Sequence, residues 1–140
     1  MATTEELTAT AEWRAYYPVV ADFWPVDGVA DHVEALAELT ERNYVAFGRR
    51  ADEPVAFAGG YTLYSPWYGD FFWLVDLVTR PDRRGEGHGS RLYEHVESWA
   101  REEGCEAIVL ASGTDRDRAH EFYEQRGFER TEHWFERELD

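Results

Sequence analysis

Val78-Thr79-Arg80-Pro81-Asp82-Arg83-Arg84-Gly85-Glu86-Gly87-His88-Gly89-Ser90-Arg91-Leu92 is the run on which the fold turns. Before it, residues 71–79 form the most apolar segment of the chain. They read as a strand buried on both faces, interrupted by one charge, Asp76. After it, residues 90–101 read as a helix with Leu92, Val96, Trp99 and Ala100 on one face, ended by Gly104. Residues 107–111 supply another strand. Strand, loop, helix and strand within about 40 residues form a βαβ unit, so the two strands are expected to be parallel.

The loop itself has a chemical reading. Gly85, Gly87 and Gly89 alternate between a buried strand and a helix. Glycines there let backbone N–H groups crowd around an anion, and the helix N-terminus adds a positive partial charge. Between positions 80 and 91, Arg80, Arg83, Arg84 and Arg91 outnumber Asp82 and Glu86 by two, in a chain of net charge -15. That local reversal of sign suits a phosphate ligand. A P-loop fits poorly, because it needs Gly-Lys-Ser/Thr and the chain has no Lys. A dinucleotide fingerprint fits poorly: Ser90 stands at its third glycine, and residues 80–84 separate the strand from the first.

Outward from this centre, residues 117–126 read as a helix capped by Gly127, and residues 128–138 as one or two final strands. On the N-terminal side, residues 11–23 have helical spacing on Trp13, Tyr16, Tyr17 and Val20, with Pro18 as a kink. Residues 24–28 break that helix. Residues 31–42 form a second one, with Val33, Leu36, Ala37 and Leu39 inward and Glu34, Glu38 and Glu41 outward. Residues 44–49 and 55–64 read as a hairpin around a turn at 51–54, and Gly59-Gly60 suggests a bulge or a close backbone approach. The expectation is an α/β fold with a mixed sheet, in one domain over residues 1–140.

Composition bounds the function. The 29 Asp+Glu against 14 Lys+Arg disfavour nucleic acid and anionic membranes as partners. The single Cys105 excludes an internal disulfide and a Cys-based zinc site, and it reads as a small buried hydrophobe. No apolar run is long enough for a transmembrane helix, and the polar N-terminus does not read as a signal peptide, so a cytoplasmic protein is expected. All 14 basic residues are Arg. A surplus of carboxylates keeps a surface hydrated when salt shortens the Debye length to about 3 Å, so the composition points to a halophilic source.

Two motifs in order carry a family resemblance. Arg84-x-x-Gly87-x-Gly89, with Pro81 three residues before the Arg, is similar to the pyrophosphate loop of the GCN5-related N-acetyltransferases. Ala119-His120-Glu121-Phe122-Tyr123-Glu124-Gln125-Arg126-Gly127-Phe128 resembles that superfamily's A-x-x-F-Y-x-x-x-G-F helix. The resemblance covers residues 55–128 well and the N-terminal helices more loosely. It implies a mostly antiparallel mixed sheet with a splayed parallel strand pair flanked by helices. It also implies acetyl-CoA as donor, no metal, and an amine acceptor, either a small molecule or a peptide.

Residue by residue, the resemblance implies that pantetheine pairs with the backbone of Leu77, Val78 and Thr79. Pyrophosphate would sit on the N–H groups of Arg84, Gly85, Glu86, Gly87, His88, Gly89 and Ser90. Arg80, Arg83 and Arg91 lie outside the motif position and are open between phosphate contact and pairing with surplus acids. Arg116 stands where the family often has a cofactor-contacting Asn. Tyr123 matches the general acid; a phenol of pKa about 10 stays protonated at neutral pH and can protonate the departing thiolate. The family's strand Glu is absent, since Val75 occupies its place. Asp76, the one ionisable residue of residues 71–79, is the candidate base, with a structural role as the alternative. His120 and His133 are lesser candidates. Trp24, Tyr64, Trp67, Tyr68 and Trp134 could wall the acceptor, pack in the core or form a homodimer interface. The expected mechanism is direct attack in a ternary complex, with a backbone N–H near Val78 steadying the oxyanion. A non-catalytic acyl-CoA-binding or regulatory module is the alternative.

Overall fold

A computed structural model describes residues 1–111, 117–131 and 135–139. The chain falls into two compact units, Met1–Val109 and Leu110–Asp140. The first holds a five-stranded sheet in the order β1 (Thr3–Glu6), β2 (Tyr44–Arg50), β3 (Pro54–Ser65), β4 (Gly69–Thr79) and β5 (Ala107–Val109). Neighbours are antiparallel except β4 and β5, which run parallel. Strand β1 had no sequence signal, because its exposed Thr and Glu residues follow no apolar alternation.

Helices cover both faces. Residues 11–23 are not one kinked helix but two short ones, α1 (Thr10–Ala15) and α2 (Tyr17–Val20). The break falls at Tyr16, because Pro18 starts α2: it lacks the N–H that would continue the earlier helix. Helix α3 (Val29–Glu41) buries His32 and Leu36 and exposes Glu34, Glu38 and Glu41. Leu7, Tyr16, Val19, Val20 and Leu36 pack with Tyr44, Ala46, Phe57 and Val78 into the core on this face. On the opposite face α4 (His88–Glu102) buries Leu92, Tyr93, Val96 and Ala100. Its Trp99 ring meets Phe47 at 5.2 Å and Phe72 at 5.6 Å.

A bulge in β4 decides which side chains reach which face. Gly59 pairs with Asp76 but Gly60 pairs with Leu74, so Val75 has no partner across the ladder. Strict alternation would put Phe72 and Val78 on one face. Instead Phe72 packs on α4, whereas Val78 joins the core under α1–α3. The unmatched residue reverses the alternation. Both glycines are needed: a Cβ at Gly60 would collide with the Trp73 carbonyl, and one at Gly59 with the Tyr44 ring. Strand β4 is consequently not buried on both faces along its length; Val75 is 43% exposed.

The second unit contains α5 (Asp117–Glu124), closed by Gly127 at φ +87. The final strands expected in residues 128–138 do not form among the described residues. Glu129, Arg130, Thr131 and residues 135–139 are exposed, so no buried face organises them.

Gly60→Ala tests the close approach. The obstacle is backbone, which cannot rotate away, so the variant should lose about 1–3 kcal/mol. Urea denaturation should show a lower midpoint with unchanged slope. An unchanged midpoint would mean that the strands can separate at the bulge without cost.

Candidate functional site

The parallel pairing of β4 with β5 spans only Phe71, Phe72 and Trp73, opposite Ala107, Ile108 and Val109. Strand β4 continues to Thr79 while β3 stays paired with it on the other side. From Leu74 onward its β5-side flank has no strand partner among the described residues, so the backbone N–H and C=O groups that turn to that side suit a ligand that pairs like a strand. Leu77, Val78 and Thr79 lie at the end of this flank, opposite Ala58, Phe57 and Ala56.

The flank leads into the glycine loop. Pro81–Arg83 form one 3-10 turn, Arg84 is extended, and Gly85 and Gly87 take φ +85 and +84. Those left-handed angles, not lack of space, require glycine: nothing lies within 4 Å of a Cβ built at either position. Gly89 has a different reason, since its Cβ would stand 3.2 Å from Thr79 Oγ1. Gly87 caps α4, which has no side-chain N-cap, and the helix's first hydrogen bond runs from Arg91 N–H to Gly87 C=O. The helix start thus presents N–H groups with no acceptor within the helix, a geometry suited to an anion.

The charges around this loop differ from the sequence expectation. Asp52 and Glu53, from the β2–β3 turn, fold onto it. Arg80 donates to Glu53 at 2.9 Å and to Asp82 at 3.2 Å. Arg83 donates to Asp52 at 2.8 Å, Glu53 at 3.1 Å and Glu86 at 3.1 Å. These two arginines brace the loop and are matched by four carboxylates, so the cationic surplus counted along the chain does not persist in space. Hydrogen bonds from His88 and Arg83 hold Glu86 below the usual carboxylate range. Arg84 and Arg91 are exposed and have no ion pair among the described residues. His88 is buried. Arg49 Nε donates to its Nδ1 at 3.1 Å, so the ring proton sits on Nε2 and points to Glu86 Oε1, 2.9 Å away.

Asp76 lies on the α1–α3 face because of the bulge. Its Oδ1 accepts from the Trp24 indole at 3.1 Å and its Oδ2 from the Tyr44 hydroxyl at 2.7 Å. Burial pushes the Asp76 carboxyl up from its usual range, against the pull of these two hydrogen bonds. Burial and the adjacent Asp76 charge push the Tyr44 phenol well above its ordinary value. Neither partner was visible in the sequence, since they stand 52 and 32 positions from Asp76. The Arg49–His88 contact, 39 positions apart, was equally invisible.

In the second unit, Tyr123 sits on α5 with its ring 5.5 Å from Phe122 and 5.6 Å from Phe128. His120 is partly buried on the same helix. Arg116, His133 and Trp134 lie outside the described residues. Of the remaining aromatics, Tyr64, Trp67 and Tyr68 are exposed near the β3–β4 turn, away from Asp76 in the ladder. Burial raises the Cys105 thiol pKa, which leaves it un-ionised and a poor nucleophile.

Known proteins resemble this chain in sequence or in fold. The Uncharacterized N-acetyltransferase YhdJ of Bacillus subtilis (strain 168) is 28% identical over 121 residues, covering 85% of each chain. The Thialysine N-epsilon-acetyltransferase of Bos taurus is 34% identical over 67 residues, 48% of this chain and 39% of that one. Among solved structures, the Aminoglycoside N-Acetyltransferase AAC(6')-Iy in complex with CoA superposes with a TM-score of 0.84 at 16% identity, covering 99% of this chain and 95% of that chain. That likeness concerns the fold. The family model described as Acetyltransferase (GNAT) family matches residues 7–128. With most of its length, both motifs included, inside that match, the chain belongs to the acetyltransferase (GNAT) family.

Proposed function

We propose that the protein moves an acetyl group from acetyl-CoA to a primary amine by direct attack in a ternary complex. The observation that carries this reading is the flank of β4 that has no strand partner among the described residues, running into a glycine loop and a helix start without a side-chain N-cap. A molecule with an amide-bearing arm and a pyrophosphate matches both parts in sequence. Acetyl-CoA supplies an activated thioester carbonyl.

The chain's own groups then have distinct tasks. Arg80 N–H bonds to Val55 C=O, so the register turns the Val78 N–H toward β3 and leaves Leu77 and Thr79 backbone to pair with the amides of the arm, while a backbone N–H near Val78 on that flank steadies the carbonyl oxygen as charge develops. N–H groups from Arg84 to Ser90 receive the pyrophosphate. The Arg84 side chain, exposed and not held in an ion pair among the described residues, is available to it, whereas Arg80 and Arg83 serve as braces. Arg116 is a further cofactor contact by family position. Asp76 takes the proton that the amine must lose, and Tyr123 Oη returns one to the leaving thiolate. The proton count balances, and the C–S bond breaks as the C–N bond forms. The acidic, Lys-free composition supports a salt-rich cytoplasm as the setting.

Three measurements test this reading. Incubation with acetyl-CoA and an amine panel should release free thiol. Tight CoA binding with no thiol from any amine would instead favour a binding module. Tyr123→Phe should reduce kcat about a hundredfold or more while CoA affinity stays near the wild-type value; equal loss of both would assign Tyr123 to packing.

The base must be ionised, so kcat/KM should rise with pH through the raised Asp76 pKa and level off above it. Tyr44→Phe removes a hydrogen bond to the charged form and should move that limb to higher pH. A limb that does not move would exclude Asp76 as the titrating group.

The habitat has its own test. Between about 0.1 M and roughly 1 M KCl the Debye length falls from about 10 Å to about 3 Å, which screens repulsion among the carboxylates. Tm should rise across that range, and a flat or falling Tm would argue against a salt-adapted surface.

A further inference from the structure

The acceptor is where the surroundings of Asp76 become informative. Glu53 and Glu86 are each matched by arginine. Asp76 is partly buried, yet among the described residues no cationic side chain pairs with it. Its two hydrogen bonds come from neutral donors, which stabilise the charge without cancelling it. Strand β2, which carries Tyr44, has Arg49 and Arg50 only at its opposite end, where Arg49 donates to His88 and Thr4. Strand β3 has no charged residue, β4 has only Asp70 and Asp76, and residues 21–28, which carry Trp24, contain Asp22 and Asp27 but no Arg. His32, whose ring lies 5.7 Å from Trp24, has its pKa lowered by burial and supplies no positive charge at neutral pH.

A chain of aromatic rings leads away from this carboxylate. Trp24 and Tyr44 touch it directly. Tyr61 meets Tyr44 edge-on at 5.4 Å, and Trp73 meets Tyr61 at 6.1 Å. Access exists beside it, since Val75 at the bulge and Phe23 next to Trp24 are each 43% exposed. A carboxylate beside aromatic rings, with no counter-charge paired to it among the described residues, is suited to a compact organic cation.

We propose that Asp76 and the Trp24, Tyr44, Tyr61 and Trp73 rings recognise the acceptor as a cationic alkylamine that carries no phosphonate, phosphate or carboxylate group. This rests on the reading that Asp76 faces the acceptor. An anionic group would meet the Asp76 carboxylate, with no arginine paired there among the described residues to receive it.

The Trp24 indole N–H reports on the site directly, because it donates to Asp76. In 15N-labelled protein, butyltrimethylammonium, which cannot be acetylated, should shift that cross-peak saturably, and propylphosphonate should not. Asp76→Asn should weaken the cation about tenfold or more. Tyr61→Leu, which keeps both hydrogen bonds to Asp76, should weaken it several-fold and carries the test if the Asn variant does not fold. No saturable shift in wild type, or unchanged affinity in the folded variants, overturns the proposal.

Turnover gives the second arm: kcat/KM for 1,4-diaminobutane should exceed that for 3-aminopropylphosphonate about tenfold or more, and parity or reversal overturns it. The two readings fail separately. Cation binding without acetylation of any amine would remove the transferase reading and leave the cation site. Acetylation indifferent to acceptor charge would do the opposite.

Discussion

No side chain can stand at position 60, because the Trp73 carbonyl fills the space that a Cβ would take. That close approach accompanies the bulge that leaves Val75 unmatched, and most of the candidate site depends on it. Without the bulge, Asp76 would share a face with Phe72 and point toward α4. With it, Asp76 turns toward Trp24 and Tyr44, under the N-terminal helices. The same strand loses β5 after Trp73, so one β4 segment offers a carboxylate to one face and, among the described residues, backbone without a strand partner to its flank.

Electrostatics follows a similar economy of placement. The chain is strongly acidic, and its arginines are used where carboxylates converge. Arg80 and Arg83 tie the turn between β2 and β3 to the glycine loop, and Arg49 reaches the same loop through His88. This bracing holds Gly85 and Gly87 in left-handed conformations that few other residues would tolerate. Arg84 is left outside the network. Asp76 receives no arginine among the described residues and is held by two neutral donors instead.

Much of this was legible along the chain, and for a consistent reason. Gly85, Gly87 and Gly89, the apolar run into Thr79 and the α4 stripe of Leu92, Val96 and Ala100 are local patterns. Local backbone geometry responds to them directly, so the βαβ unit and the Gly59-Gly60 irregularity were expected correctly. The misreadings share a cause as well. Strand β1 is held by pairing with β2, not by its own pattern. The split at Tyr16 depends on where Pro18 falls relative to a helix start. The expected final strands lack a buried face among the described residues.

Sequence alone determined the family, the strand–loop–helix core and the identity of Asp76 as the unusual charge in an apolar strand, because each is written in residues close together in the chain. Tertiary structure decided what those residues meet. It brought Asp52 and Glu53 onto Arg80 and Arg83, which cancelled a charge surplus that existed only in one dimension. It also brought Trp24 and Tyr44 onto Asp76 across 52 and 32 positions. Coulomb and hydrogen-bond energies depend on distance in space, and separation along the chain does not set that distance once a sheet has formed.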